Sequence, residues 1–303
     1  MLKKFSNKQA GVLSSSDLRT FKGQLIYWIF IAFLLAMVVI SLLPSIWSFF
    51  SAFKDSQEIV TSTSFFPKDM SWNRIMTRIS ESWKELQLAD SIINTIIRSL
   101  GDVAFKIIIC GFGGYAISKL KPTGSKLIFT LIVWTMMMPG QIRMVSNYIG
   151  YLHFPFAFDI GIGVNLLDTF WPFWLGGAAD CFAVLLFKNS FDALSNSYVE
   201  AAKLDGCTNF GVFFKIMFPL SMPIIIYQSI NALTVAWSDY MGPLIVLNEN
   251  MTLPLKLYKM KTANLKMNTE LMGYTFSCIP PFLIFVCFQR HILGGINIGG
   301  VKG

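Results

Sequence analysis

Residues 195–223 read SNSYVEAAKLDGCTNFGVFFKIMFPLSMP, and the question of what so polar a segment does here decides how the rest of the chain is read. Locally the pattern predicts a helix, a turn and a second helix. Ser197 stands three residues before Glu200, the spacing of a capping box in which the hydroxyl takes the amide of residue 200 and the carboxylate returns to the amide of Ser197. Ala201 and Ala202 favour helix, and Gly206 suits the left-handed conformation that ends one. Thr208 or Asn209 then caps a second helix that carries Phe210, Phe213, Phe214 and Met217 up to Pro219. Two adjacent alanines on a short, rigid helix leave a shallow surface that a soluble partner approaches closely. Glu200 serves the cap, or pairs with a basic group of that partner, or shares its carboxylate between both.

Outward from this segment the chain is too apolar for a soluble domain: of 303 residues 54% are hydrophobic and 14% charged, and the mean hydropathy is +0.56. Residues 23–53, 216–238 and 271–289 are uncharged, and each is long enough to cross a hydrocarbon core of about 30 Å as a helix. Three further apolar stretches are interrupted. Residues 91–118 contain Arg98, Asp102 and Lys106, residues 127–149 contain Pro139 and Arg143, and residues 169–187 contain Asp180. The expectation is an all-α membrane protein of six transmembrane helices, with residues 195–219 between the fourth and the fifth.

A net charge of +8 in such a chain reads as Lys and Arg retained on the cytoplasmic side rather than as a nucleic-acid surface. Six spans put both termini on one side, together with five basic residues of the N-terminal tail, Lys119, Lys121, Lys126 and the loop from Ser190 to Lys215, so that side is expected to be cytoplasmic. A DNA-binding reading of the helix–turn–helix fails on its second helix, where Lys215 is the one basic residue among phenylalanines. The first span lacks a small-residue cleavage site and is expected to stay as an anchor. Cys110, Cys181, Cys207, Cys278 and Cys287 have no metal-ligand spacing and are expected to be free thiols. The polar stretch 54–90, with Trp72 and Trp83, is expected outside, lying on the bilayer surface.

Arg98, Asp102 and Lys106 recur at i, i+4 and i+8, so one face of the second span is charged. They form either a structural ladder, with Asp102 shared by both cations, or part of a translocation path. The glycines of GFGGYA at 111–116 lack the strand that a phosphate-cradling loop needs and are expected to bring helices close together. In the fifth span Tyr227, Gln228, Asn231, Ser238 and Asp239 supply hydroxyl-bonding groups beside apolar faces, as a sugar path requires; polar residues joining one helix to another give the same pattern. Trp171 and Trp174 read as an interfacial belt, and His153 and His291 stand apart from other ligand types.

The segment EAAKLDG, followed after nine residues by IMFP, resembles the EAA loop of ABC importer permeases; Glu200, Ala201, Ala202, Gly206, Ile216 and Pro219 match, and Phe218 replaces the usual Leu. LLPSIWSFFSAFKD, NTIIRSLGD, MMMPGQ, WSDYMGPL and FQRHILGGINIGGVKG extend the likeness to permeases of the binding-protein-dependent sugar transport family, of the maltose-transporter G-subunit type. The resemblance implies a type I importer fold: a cytoplasmic tail over residues 1–24, a six-helix domain over 25–293 with its coupling loop at 195–219, and a cytoplasmic tail over 294–303, all in a bacterial cytoplasmic membrane. It also implies a second homologous permease, two ATPase subunits and an extracytoplasmic binding protein that delivers a sugar. Glu200, Ala201, Ala202, Asp205 and Gly206 would couple to the ATPase, and Gly300, Val301, Lys302 and Gly303 would touch it. The chain has no G-x-x-x-x-G-K-[ST] loop, so it is expected to hold no cofactor and to catalyse no reaction, with ATP and Mg bound by the ATPase subunits. The alternatives are a permease for a non-sugar solute and an ion-coupled carrier working through Asp102, Asp180 or Asp239.

Overall fold

A computed structural model describes residues 20–155, 163–261 and 265–293, without the side chains of 141 and 291–293. The expected contacts of residues 300–303 lie outside the described residues. The described chain forms two compact units, residues 20–80 with 266–275 and residues 81–265 with 276–293.

In the first unit Thr20 opens α1 (Phe21–Ser51), its hydroxyl accepting the Gly23 amide at 3.1 Å. Apolar side chains surround α1, and only Gly23 and Ser51 are buried, as befits a helix that meets lipid or another chain. Short α2 (Ser56–Thr61) follows, then the amphipathic α3 (Trp72–Leu86), whose residues from Glu81 on belong to the second unit. The link between α1 and α2 is held by polar contacts. Lys54 is buried and donates to the Ser64 carbonyl at 2.5 Å, Ser56 donates to Asn268 Oδ1 at 2.8 Å, and the Asp55 carboxylate receives both Arg74 and Arg78.

The second unit is built on α4 (Leu88–Leu120), a 33-residue helix widened by π turns at Lys106–Cys110 and Ala116–Leu120. A turn with Lys121 and Gly124 at positive φ leads into α5 (Ser125–Met136), and Pro139, which has no N–H to continue that helix, separates it from α6 (Gly140–Leu152). After these come α7 (Trp171–Ala178), α8 (Cys181–Asp192), α9 (Ser197–Leu204), α10 (Asn209–Leu220), α11 (Met222–Ser238), α12 (Met241–Val246) and α13 (Leu253–Met260). The last helix, α14 (Met267–Leu293), contributes to both units. Among the described residues there is helix and no extended sheet, only one isolated bridge between Phe154 and Val164.

Six straight spans are not what the described residues present. Three helices are long and apolar enough to cross a membrane, α1, α4 and Met267–Arg290, with a fourth if α10 and α11 count as one bent span. The other expected spans are broken for identifiable reasons. Residues 127–149 divide at Pro139. Residues 169–187 divide where the Asp180 carboxylate turns back on its own backbone, accepting from the amides of Phe182 at 3.0 Å and Ala183 at 3.1 Å to start a new helix. Residues 216–238 turn by 80° between Leu220 and Met222, where Pro219 and Pro223 remove the amides that would carry the helix through.

Cys110 and Tyr115 from α4, Phe187 and Phe191 from α8, and Phe213 and Met217 from α10 make a fully buried cluster. Lipid tails are as apolar as these side chains, so the cluster holds by close packing: Phe112 stacks on Phe213 with centroids 4.1 Å apart, and such aromatic pairs contribute about 0.5–1.5 kcal/mol each. The glycines act as expected. A Cβ on Gly114 would lie 2.6 Å from Phe187 Cβ and 2.8 Å from the Lys188 amide, so α4 and α8 approach almost to backbone contact. Trp174, in contrast, is no belt residue: its indole donates to the Arg98 carbonyl at 3.1 Å, stacks beside Phe105 and fills the space over Gly101.

Candidate functional site

The charged face of α4 opens onto a cavity of about 280 Å³ whose polar wall is Arg98, Asp102, Lys106, Asn147, Tyr148 and Asp239. Arg98 and Lys106 are eight residues apart, roughly 12 Å along the helix, which lets each cation reach a different break in the surrounding helices. Arg98 Nη2 donates to Asp239 Oδ2 at 2.7 Å, and the other oxygen of Asp239 accepts the Gly242 amide at 3.0 Å, capping α12. Lys106 Nζ pairs with Asp180 Oδ2 at 2.8 Å while Asp180 Oδ1 caps α8. Each aspartate thus fastens a helix start with one oxygen and a cation of α4 with the other.

This arrangement corrects the ladder. Asp102 does lie near Arg98, but at 3.5 Å from Nε and without hydrogen-bond geometry; the close partners, Asp239 and Asp180, come from helices distant in sequence. A charge at mid-membrane costs about 2.5–3.5 kcal/mol on insertion scales, and pairing each cation with a capping carboxylate offsets that cost. The Arg98 guanidinium also lies over the Phe173 ring, 4.1 Å from its centroid. Three buried polar atoms on this wall, Arg98 Nε, Arg98 Nη1 and Asp102 Oδ1, have no hydrogen-bond partner among the described residues. Broken backbone of this kind is tolerated at membrane depth where it lines a polar cavity.

Of the five polar residues singled out on the fifth span, Asp239 borders the cavity. Asn231 accepts from Lys106 at 3.4 Å; Ser238 bonds back to the Thr234 carbonyl at 2.8 Å; Tyr227 is exposed; and Gln228 is buried with its Nε2 unpartnered among the described residues. The α11 face on the cavity is Ala232, Val235 and Asp239 instead. Sequence reasoning missed α6, although Met144, Asn147, Tyr148 and Tyr151, at i, i+3, i+4 and i+7, form the helical face that lines the cavity.

At the 195–219 loop the turn is as expected and the cap is not. Gly206 has φ +77°, its amide donates to the Lys203 carbonyl at 3.0 Å, and the Cys207 amide reaches back to Ala202 at 2.9 Å, the two bonds of a Schellman ending. Thr208 caps the next helix by accepting the Gly211 amide at 3.2 Å. Ser197, however, is the first residue of α9 rather than its cap, and its amide and hydroxyl engage Ser195 Oγ at 3.2 and 2.7 Å. The cap position falls to Asn196, whose side-chain oxygen is taken by Lys119 at 2.8 Å, while the same ammonium donates to the Leu194 carbonyl at 2.7 Å. Glu200 is therefore exposed and free of the capping box. Ala202, expected on the shallow outer surface, instead turns into the core with Val199, leaving Glu200, Ala201, Asp205 and Gly206 on the outer surface beside Leu204, which is 89% exposed.

Behind the loop, Asp192 at the end of α8 accepts from Ser118 at 2.5 Å and from Lys188 at 2.6 Å. Burial works to raise its carboxyl, but those two bonds and the nearby ammonium charges hold it below the ordinary 3.8. Among the described residues no three His, Cys, Asp or Glu side chains gather as a metal site would require.

Comparisons with known proteins agree with this architecture. Residues 107–293 match the family described as "Binding-protein-dependent transport system inner membrane component". The probable ABC transporter permease protein YurM of Bacillus subtilis is 28% identical over 286 residues, covering 93% of this chain and 89% of YurM. The arabinooligosaccharides transport system permease protein AraQ of Bacillus subtilis is 30% identical over 217 residues, covering 69% and 72%. A chain from the crystal structure of a bacterial ABC transporter involved in the import of the acidic polysaccharide alginate superposes with a TM-score of 0.70 at 22% identity, covering 92% of this chain and 99% of that one. With α5 to α14 and the 195–219 loop inside the matched region and α4 overlapping it, this chain belongs to the family of binding-protein-dependent transport system inner membrane components.

Proposed function

We propose that the chain is one permease of an ATP-driven importer for an oligosaccharide, crossing the membrane six times when the broken helices are counted as spans and keeping both termini cytoplasmic. A second homologous permease, two ATPase subunits carrying ATP and Mg, and an extracytoplasmic sugar-binding protein complete the assembly. The observation that carries this reading is α9: a helix closed by a Schellman turn, seated in the core through Val199 and Ala202, with the side chains of Glu200, Ala201, Leu204 and Asp205 facing out and uncovered by the described residues. Such a lever transmits force only if something grips it. ATPase closure moves α9, and α10 passes the motion to α11 and the cavity.

Oligosaccharide as substrate rests on relatives such as the arabinooligosaccharide permease, and fits a wall that mixes charged and amide groups with Tyr148, Tyr151 and Phe173. Asp239 would meet sugar inside the cavity; Tyr227, Asn231 and Ser238 lie on exposed parts of α11 that a passage shared with the second permease would reach, while Gln228 would act from within the packing. Residues 300–303 would contact the ATPase, and removing residues 298–303 should lower substrate-stimulated ATP hydrolysis without loss of insertion.

The test is assembly. Ala201→Cys should crosslink to a cysteine introduced in the ATPase groove, and Leu204→Asp should reduce ATPase co-purification severalfold while the permease stays folded. Co-purification unchanged by Leu204→Asp, with no crosslink, would remove α9 as the coupling element. Sugar specificity is checked separately, by stimulation of ATP hydrolysis with the cognate binding protein and arabino- or galacto-oligosaccharides.

A further inference from the structure

A second cavity, of about 710 Å³, lies between the end of α4, the start of α5 and the end of α8. Its wall holds four lysines, Lys119, Lys121, Lys126 and Lys188, against a single carboxylate, Asp192. Two of the ammonium groups are committed to the protein: Lys119 to the Leu194 carbonyl and Asn196, Lys188 to Asp192 and to the Phe129 ring at 4.8 Å. The side chains of Lys121 and Lys126 are exposed and have no ion pair or hydrogen bond among the described residues. Four cations around one space repel one another unless an anion enters. The committed pair is held in place, Lys119 by the start of the 195–219 loop and Lys188 by Asp192 one turn on in α8.

The surroundings specify which kind of anion. Phe129 and Ile117 give the cavity an apolar side, and below its lip α5 exposes Leu127, Ile128, Leu131 and Trp134, 47–64% accessible, where a membrane helix meets acyl chains. An occupant with an anionic head and an apolar tail satisfies both surfaces; a soluble anion satisfies only one. Basic pockets at the ends of membrane helices are where acidic lipid headgroups bind. We propose that this cavity binds the phosphate of an anionic phospholipid headgroup, with Lys121 and Lys126 as its direct contacts and Lys119 and Lys188 as the rear wall. The bound lipid would brace the anchor of the coupling loop, since Lys119 joins the cavity to Asn196 at the start of α9.

The experiment titrates phosphatidylglycerol into the assembled complex in phosphatidylcholine nanodiscs and counts bound lipid by native mass spectrometry. At low salt the double variant Lys121→Gln/Lys126→Gln should bind phosphatidylglycerol roughly thirtyfold more weakly, about fivefold for each ammonium near a lipid surface. The paired substitution Lys121→Arg/Lys126→Arg keeps the charge and should retain binding. Unchanged affinity in the Gln variant, or loss in both variants alike, would overturn the assignment. Inorganic phosphate provides the other arm: if it alone displaces phosphatidylglycerol at millimolar concentration, the site belongs to a soluble phosphate and the lipid proposal fails.

Discussion

Neutralising Asp239 removes the charge that holds Arg98, and an Asn there keeps only the cap on α12. Breaking a buried pair costs about 3–5 kcal/mol, and because the Asp239 side chain is 27% exposed the expected loss for Asp239→Asn is nearer half of that. Asp102→Asn, whose carboxylate sits farther from Arg98, should cost less. Thermal denaturation of the detergent-solubilised complex ranks the two, and a larger loss for Asp102→Asn would restore the ladder along α4. Gly206→Val should destabilise the turn by about 1–2 kcal/mol through its left-handed backbone alone, since a Cβ there meets nothing within 4 Å. The ratio of ATP hydrolysed to sugar transported should rise in that variant. A normal ratio would mean that the turn carries no coupling. Gly206 and Thr208 were legible in the sequence because a turn and a cap are decided within a few residues. Ser197 was not: Ser195 competes for its amide, and Asn196 answers to Lys119, 77 positions away.

At the scale of the element, α4 and α8 are set by two neighbouring glycines with different tolerances. Gly113→Ala places its methyl in ordinary contact with Val184 at 3.5 Å and should leave stability unchanged, whereas Gly114→Ala drives it against Phe187 and the Lys188 amide and should cost about 1–3 kcal/mol. Melting temperatures of the two variants test this, and equal values would refute the close approach. The α8 end adds a pH dependence. A carboxyl held below its unfolded value stabilises the fold above that value and loses its contribution as pH falls through the folded one, so for Asp192 the loss lies below about pH 4. Protection of the 195–206 backbone from protease should decline there in the parent protein and much less in Asp192→Asn; parallel declines would place the titrating group elsewhere. The long apolar helices and the break at Pro139 were legible, but the break at Asp180 was not, because a lone Asp180 reads as a charge to be hidden until its backbone and Lys106 show it to be a cap.

Across the whole molecule, the parts readable in advance were those whose reasons are local: apolar length, glycine turns, the composition of the 195–219 loop. The cavity was not readable, since Arg98 finds Asp239 across 141 positions and the α6 face that completes the wall carries no charge to advertise it. The paired breaks beneath that cavity also carry a kinetic signature. An amide inside an unbroken membrane helix exchanges its hydrogen for deuterium only when the helix opens, but amides beside a break lack the ladder that protects the rest. The amides of Cys181, Tyr240 and Met241, just past the bonded amides of Asp180 and Asp239, should therefore take up deuterium early although they lie within otherwise apolar sequence. If turnover loosens the two aspartate fastenings in concert, their uptake will rise together during ATP hydrolysis, and isotope labelling becomes a clock for a movement that leaves no covalent mark on the chain.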